Sequence, residues 1–329
     1  MSGKKVTYLE AISQAIREEM RRDEAVFILG EDVGTYGGAF KVSAGLLEEF
    51  GPERVIDTPM SEAAIIGSAV GAALMGMRPI AEMQFIDFIT CGFDQIINMA
   101  TKMYWRAGMP VPVVIRGPAG GGTKGGPFHS TSPEAWFFHT PGIKVVFPST
   151  TYDAKGMLKA AIRDNNPVLY LEHKLLYRLP TLREELPTED YIVPLGKAIV
   201  RREGEDMTIL TYGAMVHQCL AAAQVLEADD DLEVEILDLR SLSPLDRDAI
   251  MESVKRTNKV LIVHEDTLTG GIGAELAAML AEELFEYLDG PITRVAAPDV
   301  PYPYAPPLEE AYLPDAEKIL TAARELAAY

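Results

Sequence analysis

Four side chains that could take part in chemistry follow the carboxyl ends of predicted strands. Glu62 comes just beyond one apolar strand, Gln84 and Phe88 come beyond the next, and His129 lies in a glycine-rich loop after a third. Ligands of open parallel sheets bind beyond these strand ends, because loops and helix N-termini converge there. A carboxylate, an amide, an aromatic ring and an imidazole in one crevice would suit a planar heterocycle.

Glu62 also has a purely structural explanation. We expect Thr58 to cap a helix, Pro59 to take its first position and Glu62 to fall in its first turn. A carboxylate there offsets the positive end of the helix dipole without any catalytic role. The same helix carries small residues at a spacing of four, which would let another backbone approach closely: Ala63, Gly67 and Gly71.

The loop GPAGGGTKGGPFHS matches G-x-G-x-x-G through three of its glycines, the superficial sign of a dinucleotide site. However, Pro127 and the residues after it open no helix promptly, and no acidic residue follows at the expected distance. Thr123 precedes Lys124, whereas a P-loop requires Lys before Ser or Thr. We therefore interpret this loop as a cover over an active site.

The remaining histidines are weaker candidates than His129. No two of them have the i, i+4 spacing of a zinc site on a helix, and a structural or surface role explains each one: His139, His173, His217 and His264.

Strands of continuous apolar residues alternate with helices, which predicts an α/β fold with a doubly wound parallel sheet. The first helix covers Tyr8 to Arg22 behind a capping box of Thr7 and Glu10, and a later helix covers about Phe93 to Arg106. The predicted strands are AVFILG, the strand ending at Asp57, RPIAEMQ, VPVVIRG, KVVFP and PVLYLE.

A charged, proline-broken stretch at 178–194 reads as a linker, so we predict domains at 1–188 and 189–329. The second, smaller domain again alternates strands such as MTILTYG and KVLIVHE with helices. Its segment DVPYPYAPPLEEAYLP is expected to be neither helix nor central strand, and a last helix follows near 316–327.

Composition narrows the function classes. With 329 residues, of which 48% are hydrophobic, the chain can bury a large core. The formal net charge of -19 argues against nucleic-acid binding and suits a basic protein partner. Cys91 and Cys219 lie far apart, which predicts neither a disulfide framework nor a paired-cysteine metal site and fits a reducing cytoplasm. No apolar run reaches the length of a membrane span.

Long motifs of the chain closely resemble the β subunits of thiamine-diphosphate-dependent 2-oxo acid dehydrogenases. They are ILGEDVGTYGGAFKVSAGL, RVIDTPMSEAAIIGSAVGAALMGMRPIAEMQFIDF, FDQIIN, FHSTSPEAWFFHTPGIKVVFPST and AIRDNNPVLYLE. The resemblance spans almost the whole chain and implies a pyrimidine-binding α/β domain followed by a transketolase-type C-terminal domain. It is nearest the branched-chain 2-oxo acid and bacterial pyruvate members, and acetoin dehydrogenase β subunits are similar too.

The resemblance assigns roles to the candidate residues. Glu62 would hydrogen-bond N1′ of the cofactor's aminopyrimidine and favour the 4′-imino form, whose nitrogen can remove the C2 proton of the thiazolium. Phe88 would pack on the pyrimidine, where close relatives often have Tyr, and Gln84 and Met60 would lie nearby. His129 would lie near the reacting carbons, to orient the substrate carboxylate or to donate a proton during transfer to lipoamide.

The resemblance also implies ions and partners. In this cofactor class a G-D-G motif and a later Asn hold the diphosphate and Mg²⁺, but this chain has no G-D-G. We therefore expect an α subunit to supply that half of the site in an α2β2 heterotetramer, with a lipoyl-bearing acyltransferase as a further partner. The family often holds a K⁺ ion near AIRDNNP, which points to Val113, Ala161, Ile162, Asp164 and Asn166, although RDNNP alone reads as a turn.

The expected activity, with the α subunit, is oxidative decarboxylation of a 2-oxo acid and reductive acylation of lipoyl groups. Branched-chain oxo acids, pyruvate and acetoin stay open as substrates. The rival hypotheses are a transketolase-like half enzyme, a noncatalytic scaffold and a nicotinamide-binding protein.

Overall fold

The computed structural model describes residues 5–329, which form two compact units. The first unit runs to Ala119 and resumes over Trp136–Leu195, and the second comprises Gly120–Ala135 and Gly196–Tyr329. The glycine-rich loop thus belongs to the second unit although it follows a strand of the first. The domain boundary predicted after residue 188 stays a prediction.

The first unit is built on a parallel sheet in the order β5-β6-β4-β3-β1-β2. Its strands are β1 (Val26–Gly30), β2 (Val55–Asp57), β3 (Arg78–Glu82), β4 (Val114–Ala119), β5 (Lys144–Val146) and β6 (Val168–His173). Nearly all of their residues are buried, as expected for parallel strands covered on both faces. The predicted parallel α/β fold is therefore confirmed.

The register places three strand ends at one level. Gly30 of β1 pairs with Asp57 of β2 on one side and with Glu82 of β3 on the other. The chain leaves β1 for β2 and then returns to the opposite side of β1 as β3, so β1 and β3 flank a topological switch point. Residues that follow these strands share one edge of the sheet.

The helices of this part of the chain largely match the apolar periodicity. The predicted capping box opens α1, where the Thr7 hydroxyl accepts from Glu10 N–H and the Glu10 carboxylate accepts from Thr7 N–H. The helices are α1 (Tyr8–Arg22), α2 (Leu46–Phe50), α3 (Glu62–Leu74), α4 (Met103–Ala107), α5 (Glu134–Phe138) and α6 (Thr151–Arg163).

The continuous helix predicted over 93–106 is wrong. The structure has a π-helical segment at Gln95–Ala100 and a separate α4. The Thr101 hydroxyl donates to the Ile97 carbonyl at 2.9 Å, and the Thr101 N–H bonds instead to Ile96, five residues back. A threonine side chain that takes the carbonyl of residue i−4 competes with the α-helical bond, and here the helix breaks.

The second unit has its own sheet in the order β12-β11-β8-β9-β7. The strands of this sheet are β7 (Ile199–Arg202), β8 (Met207–Thr211), β9 (Val234–Asp238), β11 (Val260–Thr267) and β12 (Thr293–Ala297), and the unit also contains the short strand β10 (Ser241–Ser243). Its helices are α7 (Met215–Asp230), α8 (Arg247–Thr257), α9 (Ile272–Leu284), α10 (Pro306–Tyr312) and α11 (Ala316–Ala327). All of these strand pairs are parallel except β7 with β9. The edge strand β7 is antiparallel to its neighbour, which the sequence patterns did not reveal.

Helix α10 corrects the expectation that the proline-rich segment has no helix. Pro306 and Pro307 occupy the first helical positions behind Ala305, where a missing N–H costs nothing, and Glu309 N–H closes the first turn on Ala305 at 2.9 Å. Within residues 5–329, no helix combines the length and apolar composition that a membrane crossing requires.

Candidate active site

Glu62 is the first residue of α3 and stands beyond the end of β2, half-buried. The predicted cap at Thr58 and helix start at Pro59 are wrong, because Thr58 N–H donates to Gly30 O at 3.0 Å and so continues the pairing of β2 with β1. The helix begins only after Ser61, whose carbonyl accepts from Ile65 at 2.9 Å. Pairing with the sheet thus delays the helix and keeps Glu62 at the strand edge.

A second carboxyl group, Glu31, lies beside Glu62, and the sequence analysis missed it. Glu31 follows β1 directly, is 6% exposed and forms a hydrogen bond with the Glu62 side chain. Burial first, and then the neighbouring Glu62 and Asp32, raise the pKa of Glu31 above its ordinary value. A sequence signal exists, because the carboxyl residues Glu31 and Asp32 come immediately after the strand at the switch point.

The loop after β1 is fixed by close packing. Gly34 N–H donates to the Asp57 carboxylate at 2.6 Å, and a side chain at Gly34 would collide with that carboxylate. Gly38, at φ 78°, has the Glu82 side chain against it, and Gly30 lies under the Glu82 carbonyl. The strand ends of β2 and β3 therefore fasten both flanks of the loop that carries Glu31.

The other three predicted site residues of the first unit differ in burial and in contact with the acidic edge. The Gln84 amide donates to Asp32 at 3.5 Å, so Gln84 joins the same acidic edge. Phe88 is half-buried in a short 3₁₀-helix, Ile86–Gly92, beyond β3. Met60 is 83% exposed. Their roles in holding a cofactor stay predictions.

A buried ion cluster lies directly behind this edge. The Arg116 guanidinium, 1% exposed, binds the Glu172 carboxylate with two hydrogen bonds of 2.5 Å and also contacts Glu82. The Tyr177 hydroxyl donates to Glu172 at 2.7 Å. The carboxylates hold the pKa of Arg116 well above its usual range despite its burial. A satisfied buried network of this kind gives the end of β3 a single arrangement.

His129 lies in the glycine-rich loop of the second unit. It follows the 3₁₀-helix Gly126–Phe128, its side chain is half-buried, and its N–H donates to the Gly126 carbonyl at 3.3 Å. The loop opens with Gly120 N–H bonded to Thr131 O at 3.1 Å, which closes it into a compact ring. The position predicted for His129 as a loop residue is confirmed, and its chemical role stays a prediction.

The residues predicted to hold K⁺ surround the C-terminal end of α6, where helix carbonyls favour a cation. The carbonyls of Ile162 and Asp164 each accept from Arg78 at 2.9 Å. Val113 O accepts from Val168 N–H at 2.9 Å, and Ala161 O accepts from the Asp164 N–H at 3.2 Å. The Asp164 side chain binds Lys144 and Asn166. These carbonyls have the right chemistry for K⁺, and any ion would share two of them, those of Ile162 and Asp164, with the guanidinium of Arg78.

Family comparisons agree with the two sheets. The pyrimidine-binding domain of transketolase matches residues 4–180, and the transketolase C-terminal domain matches residues 196–319. A solved structure described as a split-gene transketolase, inactive β4 tetramer, superposes with a TM-score of 0.80 at 25% identity, covering 99% of each chain.

Among curated proteins, the 2-oxoisovalerate dehydrogenase subunit beta of Bacillus subtilis is 51% identical over 98% of this chain and 99% of its own. The pyruvate dehydrogenase E1 component subunit beta of the same organism is 45% identical over 98% of both chains. The mitochondrial E1 subunit beta-2 of Oryza sativa is 46% identical over 98% of this chain and 86% of its own. The chain thus belongs to the β subunits of 2-oxo acid dehydrogenase E1 components, an oxidoreductase family with transketolase-type domains.

Proposed function

We propose that this chain, joined by an α subunit, decarboxylates a 2-oxo acid on thiamine diphosphate and transfers the acyl group to a lipoyl-bearing acyltransferase. The observation that carries the proposal is the carboxyl pair of Glu31 and Glu62 at the sheet's switch point. The names of the relatives of this chain support this function over acetoin oxidation, ketol transfer or a scaffold role.

The carboxyl pair would act on the aminopyrimidine of the cofactor. Thiamine diphosphate, when bound, supplies the electron sink for decarboxylation. Glu62 would hold a proton at N1′ of the pyrimidine, and Glu31, whose pKa burial raises, would keep that proton available within the pair. The fixed loop around Gly34 would prevent the two carboxyls from separating.

The remaining residues would orient and shield. Gln84, anchored to Asp32, would contact the pyrimidine edge, and Phe88 would pack on its face. Met60 would be covered only when the cofactor and the partner are in place, because it is exposed in the chain alone. His129 would orient the substrate carboxylate or donate a proton during acyl transfer.

The α partner is supported by what the chain lacks and by what it exposes. No G-D-G motif is present for the diphosphate and Mg²⁺, so these would be held by the α subunit. The first unit also exposes Trp105 (94%) beside an apolar cavity of about 700 Å³. Large exposed apolar patches mark protein interfaces. We propose an α2β2 heterotetramer, which agrees with the inactive β4 state of the solved relative.

Two finer assignments complete the proposal. The K⁺ ion at the end of α6 would add to the cation that Arg78 already supplies, and a higher melting temperature in KCl than in equimolar NaCl is the expected sign. A reducing cytoplasmic setting agrees with the two free thiols, Cys91 and Cys219.

The test is turnover by this chain mixed with its α subunit, with thiamine diphosphate and Mg²⁺, on 2-oxoisovalerate, pyruvate and acetoin. We expect activity only when both chains are present, and highest with 2-oxoisovalerate, because the 2-oxoisovalerate relative shares 51% of the sequence. A well-formed complex without turnover on any of the three would contradict the proposal.

A further inference from the structure

The glycine-rich loop that carries His129 is held by the carboxylates of two glutamates from later parts of the second unit. Glu309 accepts from the backbone N–H of Gly122 at 3.0 Å and from that of Lys124 at 3.1 Å. Glu265 accepts from Gly121 N–H at 2.6 Å and lies 3.5 Å from the Ser132 hydroxyl. Three N–H groups of one short loop are therefore satisfied by side chains from β11 and α10.

These contacts are buried and charge-assisted. Glu309 is only 3% exposed although it lies on a short helix whose neighbouring residues are mostly exposed. Hydrogen bonds from backbone N–H groups to a carboxylate are stronger than those between neutral groups, and loss of Glu309 would deprive two N–H groups of their charged acceptor.

Two glycines and two tyrosines complete the seat of the loop. A side-chain carbon at Gly121 would overlap the Tyr302 hydroxyl, and one at Gly126 would overlap the Tyr304 ring. The segment that contains both tyrosines leads directly into α10 and Glu309. The glycines at these positions therefore permit close approach of the loop backbone to the tyrosines rather than phosphate binding.

The backbone of the loop is also strained at one point. Lys124 adopts φ of 61°, in the region that favours glycine, and its N–H is bonded to Glu309. A non-glycine residue keeps such a conformation only where its surroundings impose it. At the far end, Glu134 accepts from the Tyr212 hydroxyl at 2.9 Å, so both ends of the loop are tied to the second unit.

We propose that Glu309 is a positioning residue for the reaction: its carboxylate fastens the glycine-rich loop and thereby holds His129 in place. The inference rests on the role proposed above for His129. It assigns a purpose to α10 and explains why the loop folds with the second unit. Glu309 itself contacts backbone and not substrate.

Trypsin cleavage after Lys124 measures how firmly Glu309 holds the loop, because Lys124 is exposed within the loop and is followed by Gly125. In the full-length chain we expect Glu309→Ala to accelerate cleavage at this bond at least about tenfold, the change in open population that loss of one charged hydrogen bond produces. Glu309→Gln keeps an acceptor oxygen and should restore most of the protection. Glu310→Ala, at the exposed neighbouring position, is the matched control and should be cleaved like the wild type.

The same variants are then assayed in complex with the α subunit. We expect Glu309→Ala to lower kcat at least about tenfold while the apparent KM for thiamine diphosphate changes less than about twofold, since the carboxyl pair of the first unit is untouched. Glu309→Gln should recover most of kcat. Gly121→Ala, which leaves Glu309 intact, should open the loop through Tyr302 and lower kcat as well.

Unchanged cleavage in Glu309→Ala, or equal acceleration in Glu310→Ala, would show that the Glu309 carboxylate does not hold the loop. Faster cleavage with unchanged kcat would overturn the positioning role. If the wild-type complex has no turnover, the proposed function fails, and the cleavage rates alone still decide whether Glu309 holds the loop.

Discussion

At the scale of single residues, the acidic edge of the first unit joins Glu31 and Glu62, the two carboxyls on which the proposed chemistry depends. Glu62 and Gln84 are predictable from the sequence because each follows a strand. Glu31 follows a strand just as closely, yet its importance depends on the order of β1 between β2 and β3. That order brings Glu31 against Glu62, and strand order is set by long-range packing that no local pattern encodes.

Replacement of Glu31 by Gln tests the pair through stability. The pKa of Glu31 is raised in the folded state, so its contribution is favourable below the unfolded value of 4.5 and is lost as the pH rises through the folded pKa. Glu31→Gln should therefore raise the melting temperature at pH 7 to 8 relative to the wild type, while it lowers turnover. The gain should shrink towards zero at pH 4.

Thermal unfolding of the two chains across this pH range makes the measurement. An equal or lower melting temperature for Glu31→Gln at pH 8 would show that ionised Glu31 carries no cost in the folded state.

The secondary-structure elements divide according to whether local or distant contacts decide them. α1 and α11 are predicted from the sequence, the first with its capping box, and the structure confirms both. The start of α3 and the break before α4 depend on Thr58 pairing with β1 and on Thr101 bonding to Ile97. α10 escapes prediction because Pro306 and Pro307 are typical helix breakers, yet here they occupy first-turn positions that need no N–H.

Two glycine substitutions separate a packed position from an open one. Gly34→Ala places a methyl group against the Asp57 carboxylate and should displace the loop that carries Glu31. We expect it to cost about 1–3 kcal/mol of unfolding free energy and to reduce affinity for thiamine diphosphate. Gly71→Ala, in α3 with no atom within 4 Å, should instead stabilise the chain by about 0.5–1 kcal/mol.

Denaturant unfolding of each isolated variant gives the comparison. Equal effects of the two substitutions on stability would contradict the close packing of Gly34 against the Asp57 carboxylate.

For the whole molecule, the net charge and the absence of a G-D-G motif both indicate that the chain works with partner proteins. The net charge of -19 suits a basic protein partner, while the resemblance to the β subunits implies an acyltransferase and, because G-D-G is missing, an α subunit as partners. Charge can be read from composition because it is a sum over the sequence, but it names no partner. The assignment of residues 120–135 to the second unit could not be foreseen, because it depends on Glu265 and Glu309, which lie far along the chain.

Salt should weaken binding of the acyltransferase. Raising ionic strength from about 0.1 M to about 1 M shortens the Debye length from about 10 Å to about 3 Å. The Kd for binding of the acyltransferase to the α/β complex should therefore rise at least roughly tenfold. Calorimetric titration at the two salt concentrations measures this change, with integrity of the α/β complex as the control. A Kd that is independent of salt would exclude an electrostatic docking face.

The most direct test of the whole account is the turnover of Glu62→Gln in the assembled α/β complex. Gln keeps the size of the side chain but removes the carboxylate that would hold the N1′ proton, so kcat should fall about 10²–10⁴-fold with assembly intact. Glu48→Gln, an exposed first-turn glutamate of α2, controls for the helix-dipole explanation and should leave kcat unchanged. Wild-type turnover in Glu62→Gln would show that Glu62 merely stabilises its helix and would contradict the account.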